Sequence, residues 1–168
     1  MATFADGDAQ APAQGLTPGK GLVVLVVVIL GVAAFIAISG VLGLPSVYGG
    51  FLFVFTFTGL FHAAPDKLLP ASLGAFVGIG LAFALAALPP AFGTGGIIAA
   101  LLLVVGAVYA LIMGWAPVAI NNAAMLFLTV GAIPALHQRE TLMEMALSTG
   151  LAAVLAGAVL ALAQLRRA

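Results

Sequence analysis

Apolar residues run along this chain in long blocks, interrupted only where glycine, proline or a small group of charges falls. The first block, 21–44, holds 24 residues without a charge. A helix needs roughly 20 apolar residues to cross a hydrocarbon core about 30 Å thick, so this block predicts a spanning helix. A secretory signal has a shorter apolar region of roughly 7–15 residues and a basic start. Here the flank carries Asp6 and Asp8 against Lys20, so the helix is expected to be retained.

Gly/Pro punctuation divides the rest. Leu44-Pro45-Ser46 and Tyr48-Gly49-Gly50 precede a second helix near 49–64, short for a span and therefore tilted, interrupted or partly re-entrant. Ala64-Pro65-Asp66-Lys67 reads as a turn before a third helix at about 69–88. Pro89-Pro90 and the run Gly93-Thr94-Gly95-Gly96 end that helix. A fourth is expected over 96–114, closed by Gly114-Trp115-Ala116-Pro117, a fifth over 118–136 and a sixth over 141–165. The expected fold is all-α: a polytopic membrane protein of six transmembrane helices, with five as the alternative count. A flexible tail at 1–19 precedes a single transmembrane domain at 20–168.

The blocks also repeat. Gly31 in the first helix matches Gly106 in the fourth at a shift of 75, and Pro45 matches Pro117 at 72. Ser72 and Gly74 match Ser148 and Gly150 at 76. Each half ends its second helix in a His-containing polar turn. Three spans per half make the halves, about 21–92 and 95–165, opposite in orientation. This 3+3 inverted plan recurs in transporters, with the solute path at the repeat interface. Chance alignment of Gly-rich apolar triplets is the competing explanation.

Composition sharpens the membrane reading. Of 168 residues, 64% are hydrophobic and 6% charged, with a mean hydropathy of +1.31, whereas soluble domains carry about 25% charged residues. The formal net charge is zero and no basic tract exists, which argues against nucleic acid as a partner. There is no cysteine, which excludes disulfides and thiolate chemistry. With the N-terminus in the cytoplasm, Lys20, Lys67, Arg166 and Arg167 lie inside and Arg139 outside. Both termini are therefore expected on the cytoplasmic side.

Candidate chemistry is sparse. Small residues spaced by four mark helix contact faces in lipid: Gly74 and Gly78 on the third helix, Gly106 and Gly114 on the fourth, and Thr149 and Gly157 beside Ser148 on the sixth. These serve the bundle core or the interface of a homo-oligomer. Asn121 and Asn122 open the fifth helix just inside the membrane boundary. There they line a polar vestibule, or cap the helix and bond a neighbour. Their counterparts in the first half are Gly49 and Gly50, where backbone groups are exposed instead.

Thr56 and Thr58 lie in a phenylalanine-rich helix and point to nearly opposite sides, so at most one faces a pore. Both can instead return their hydroxyls to the backbone one turn earlier. His62 and His137 are candidates for a pH-sensitive gate or for interfacial anchors. Glu144 faces an aqueous funnel, or complements the start of the sixth helix. Trp115, Tyr48 and Tyr109 include interface-belt residues; Tyr109, placed near the middle of the fourth helix, needs a hydrogen-bond partner there.

The loose run His137, Met143, Met145 has no second cluster, so no metal is expected, and no cofactor either. Paired acids, an HExxH-type site and a serine with a base at membrane depth are all missing, so no enzyme is expected.

The stretch Gly43-Leu-Pro-Ser-Val-Tyr-Gly-Gly-Phe-Leu-Phe, followed by a Gly/Ala-rich helix, resembles a family of small bacterial inner-membrane proteins known as domain of unknown function 1097. The resemblance is strongest over about 40–90. It implies a six-helix inner-membrane protein and assigns no functional residue. The expected function is a channel or facilitator for a small neutral solute. The alternative is a non-transporting scaffold or accessory subunit docked through its small-residue ridges.

Overall fold

The structure is a computed structural model and describes residues 18–44, 46–133 and 139–165. The tail expected over 1–19 lies almost wholly outside these residues, as do His137, Arg166 and Arg167. Five α-helices and one 3-10 turn make up the described residues, and no strand occurs among them. They are α1 (Pro18–Val41), α2 (Tyr48–Gly59), α3 (Leu68–Ile112), α4 (Asn122–Gly131) and α5 (Arg139–Leu165), with the 3-10 turn at Pro65–Lys67 between α2 and α3. The chain divides into two compact units, 1–37 and 38–168. In the first, the described residues form most of α1, opened by Pro18, whose fixed φ and missing N–H suit the first helical position.

Helix ends follow the glycines. Gly43 closes α1 at a φ of 65°, with Leu44 N–H donating to Ser39 O at 2.9 Å and Gly43 N–H to Gly40 O at 3.1 Å. Gly114 closes α3 in the same way at a φ of 67°: Trp115 N–H donates to Ala110 O at 2.8 Å and Gly114 N–H to Leu111 O at 3.1 Å. This paired bonding across a left-handed residue satisfies carbonyls that the helix leaves open.

The third and fourth expected helices form one element of 45 residues. As a straight rod it would be about 67 Å long, over twice the hydrocarbon thickness. It is not straight. Gly93 has φ 57° and ψ −135°, outside helical geometry and in a region open essentially to glycine alone. Eight residues of straight helix span about 12 Å, yet a Cβ on Gly96 would collide with the Leu88 carbonyl. The chain therefore doubles back there, at the Pro/Gly run that marks a break in the sequence.

The two middle helices are shorter than expected. α2 has 12 residues and α4 has 10, against expectations of 49–64 and 118–136. At about 18 and 15 Å, neither crosses a bilayer as a helix. Six full-length helical spans are therefore not what the described residues contain. Two helical stretches, Pro65–Ile112 and Thr141–Leu165, are long and apolar enough to cross a membrane. Only 17% and 22% of their most apolar windows are buried inside the protein, so most of that apolar surface points outward.

Within the second unit, α4 lies along α3 in parallel. Asn121 meets Gly74; Ala124, Phe127 and Leu128 meet Gly78; Gly131 meets Ala82. α2 packs on α5, with Gly49 against Met145, Ser148 and Thr149. α5 crosses the first part of α3 in the opposite direction, Gly150 against Phe76 and Gly157 against Leu68. The side chains at these crossings, among them Phe53, Ala71, Ala75, Ala123, Phe127 and Met145, are buried.

Gly74, Gly78 and Gly157 lie at close approaches between helices. Among the described residues, a Cβ on Gly106 would meet nothing within 4 Å, and Gly114 forms a helix-ending turn.

Candidate functional site

Among the described residues of the second unit, Asn121 carries the largest set of side-chain hydrogen bonds. Its backbone is extended (φ −145°, ψ −174°), and its Oδ1 accepts from Ala123 N–H at 2.9 Å and Ala124 N–H at 3.3 Å, capping α4. Its Nδ2 donates to Pro70 O on α3 at 2.8 Å, and to Val118 O and Pro117 O at 3.2 and 3.3 Å. Both ends of the amide are thereby engaged by the protein. Gly74 has no side chain because Asn121 occupies that volume. Asn122, one residue on, is exposed.

The threonines divide as their spacing requires. Thr56 is fully buried and Thr58 exposed. Each donates to the carbonyl four residues earlier at 2.7 Å, Thr56 to Leu52 and Thr58 to Val54. These hydroxyls are returned to their own helix.

His62 is exposed and follows α2 with a φ of 54°; Ala63 follows with 51°. The turn is held by Ala63 N–H on Phe57 O at 2.9 Å. Lys67 and Asp66 form an exposed ion pair at 3.1 Å, of the kind that contributes little. Glu144 is half-buried on α5. These groups form no common cluster with Asn121. Among the described residues no three His, Cys, Asp or Glu side chains are grouped to hold a metal ion.

Tyr109 is not deep in a helix as expected. It lies in the last turn of α3, half exposed, edge-to-face with Trp115 at a centroid distance of 5.5 Å. Such an aromatic pair at a helix end suits a bilayer–water boundary.

The second polar locus is the contact of α2 with α5. Gly49 and Gly50 in the first turn of α2 are buried, and the residue before the helix, Val47, provides no side-chain cap. Facing them are Ser148 and Thr149, both fully buried. Ser148 Oγ donates to Met145 O at 3.2 Å. Thr149 Oγ1 has no hydrogen-bond partner. A Cβ on Gly49 would sit 2.7 Å from Thr149 Oγ1 and 2.8 Å from Ser148 Oγ.

The sequence marks Gly49 and Gly50 as points where backbone groups are exposed, whereas both residues are buried. Thr149 reads there only as a small residue of a packing ridge, because nothing in its neighbours reveals that its hydroxyl goes unpaired. No family model, curated protein or solved structure matches this chain, so its function is argued from its residues alone.

Proposed function

We propose that this protein is a multi-pass membrane channel or facilitator for a small neutral solute, built from two inverted halves with the path where the halves meet. Outward-facing apolar surface supports the membrane part. Leu101, Leu102, Val105 and Ile112 on α3, with Leu147 and Val154 on α5, are exposed large hydrophobics, and lipid is the medium that accepts them. Within the second unit, three long apolar segments, 68–92, 94–112 and α5, accompany two short helices; α1 is a fourth long apolar segment. The cytoplasmic side takes both termini, in the inner membrane of a bacterium.

The observation that carries the inverted repeat is a single offset. α2 begins at Tyr48 and α4 at Asn122, 74 residues apart. At that offset several buried positions coincide: Gly49 with Ala123, Gly50 with Ala124, Phe53 with Phe127. On the helices they pack against, Ala71 matches Met145, Gly74 matches Ser148 and Gly78 matches Ala152, all buried. Exchanging the halves turns the α2–α5 contact into the α4–α3 contact, which is how a two-fold axis acts and not how a tandem translation acts. The antiparallel crossing of α3 and α5 fits that axis, because Phe76 and Gly150, which touch, are themselves 74 apart. The axis is perpendicular to these helices and so lies in the membrane plane when they span it. In transporters of this plan, short or broken helices line the substrate site at the repeat interface.

A neutral solute is preferred because no ionised pair is buried between the halves among the described residues, whereas ion-coupled carriers keep such groups at membrane depth. Assembly into a homo-oligomer is part of the proposal, as in many proteins whose outer helices carry unused small residues such as Gly106. The chain is read as non-enzymatic.

Stopped-flow uptake of urea, formamide and glycerol into proteoliposomes tests the proposal. Faster equilibration than in protein-free liposomes is expected for at least one of them. Control rates for all three, with stable co-purification of another membrane protein, would replace the channel with the scaffold reading.

A further inference from the structure

The two short helices begin differently, and the difference is chemical. α4 begins with its own cap, Asn121, whose Oδ1 takes two of the first N–H groups. α2 begins after Val47, which has no acceptor to offer and makes no side-chain cap bond. The first N–H groups of any helix lack intrahelical partners, and the macrodipole places partial positive charge there. In α2 the Tyr48 N–H is taken by Ser46 Oγ at 3.4 Å, and the next two residues, Gly49 and Gly50, are buried without side chains of their own.

Independently, the side chain facing this end is unpaired. Threonines inside helices usually donate to the carbonyl one turn back, as Thr56, Thr58 and Thr129 do in this protein. For Thr149 that carbonyl belongs to Met145, which receives Ser148 and lies against Gly49. The Thr149 hydroxyl, fully buried, has no partner. A buried polar group without a partner is costly, and here it stands against Gly49, past the one N–H that Ser46 takes.

We propose that the start of α2, with the Thr149 hydroxyl, is a binding site for a small neutral molecule that presents an acceptor oxygen, of the amide-carbonyl class. The backbone N–H groups and the hydroxyl all donate, so the complementary ligand accepts. Glu144, half-buried one turn before Ser148 on the same helix, is an acid and offers no cationic partner for an anion, so a neutral carbonyl is the complementary class. The site gives the solute path proposed above a specific location and a chemical class of solute, and it rests on that reading for its role in transport.

Titration with formamide, followed at the Gly49 amide, tests the site. Tyr48-Gly49 is the only Tyr-Gly sequence in the chain, so carbonyl-13C tyrosine with 15N glycine isolates one resonance in nanodiscs. A saturable shift is expected in the wild type and in Thr149→Ser. In Thr149→Val, nearly isosteric, affinity falls about tenfold through loss of one hydrogen bond. In Val47→Asn, which gives α2 the cap that α4 already has, the shift is lost while thermal stability rises.

A shift that never saturates, or one that persists unchanged in both Thr149→Val and Val47→Asn, overturns the site. Should Thr149→Val not fold, the wild type and Val47→Asn decide. Flux is read separately: a saturable Gly49 shift without solute uptake overturns the channel and leaves the site, and uptake without a shift does the reverse.

Discussion

The Asn121 amide donates to the Pro70 carbonyl at 2.8 Å, tying the start of α4 to the first turn of α3 across 51 residues of sequence. The same side chain caps α4. Replacing Asn121 with Ala removes cap and tie together and is expected to cost about 2–3 kcal/mol, a cap being worth about 1 and an abandoned hydrogen-bond partner 1–3. Asn121→Ser keeps the cap and loses the tie, so its loss is about half as large. Thermal unfolding in detergent micelles measures both; equal losses would mean that the tie to Pro70 contributes nothing.

Close approach divides the helical glycines into two groups. A Cβ on Gly78 would collide with the Ala124 carbonyl and stand 2.8 Å from Phe127 Cβ and 2.9 Å from Leu128 N. Since backbone cannot swing aside, Gly78→Ala is expected to destabilise by about 1–3 kcal/mol. Gly80, two residues on, would meet nothing within 4 Å, and Gly80→Ala is expected to be neutral or stabilising by up to about 1 kcal/mol through helix propensity. The same unfolding measurement compares them.

Gly93 holds a conformation that an L side chain resists. Gly93→Ala is expected to cost about 1–3 kcal/mol, even though a Cβ there would touch nothing within 4 Å. A loss of stability without a steric neighbour isolates backbone strain as its cause. An unchanged unfolding temperature would show that the break at this position relaxes freely.

Leu102 is 65% exposed in the middle of the 94–112 segment. If that surface faces lipid, Leu102→Arg carries a central charge worth about 2.5–3.5 kcal/mol against membrane insertion. Glycosylation-site mapping of the inserted segment reads this as a drop in the inserted fraction. Unchanged insertion would contradict a lipid-facing position.

Much of this architecture is written in the punctuation. Gly43, Gly114 and the run from Pro89 to Gly96 sit where only glycine or proline geometry serves, so the helix ends there are legible from residue type alone. The far end of α4 is not. Its sequence stays apolar past Gly131, and hydropathy cannot mark where a helix stops in a chain that is apolar throughout. The small-residue ridges are half legible. Gly74, Gly78 and Gly106 look alike in sequence, and only the tertiary arrangement separates the first two, which receive α4, from the third, which meets nothing among the described residues. Asn121 reads as either pore lining or cap. The choice falls to the cap because a carbonyl 51 residues away occupies its other end. Thr149 is the least legible, since an unpaired hydroxyl is a property of its surroundings and leaves no trace in the local sequence.

The reversal at Gly93 also bears on how the chain enters a membrane. Segments joined by a long polar loop can be threaded one at a time, each settling before the next emerges. Here the turn between 68–92 and 94–112 is so tight that no polar linker separates them, and Leu88 already touches Gly96. On the proposed membrane reading the two pass into the bilayer together as a hairpin, with no loop at that bend for a protease to find.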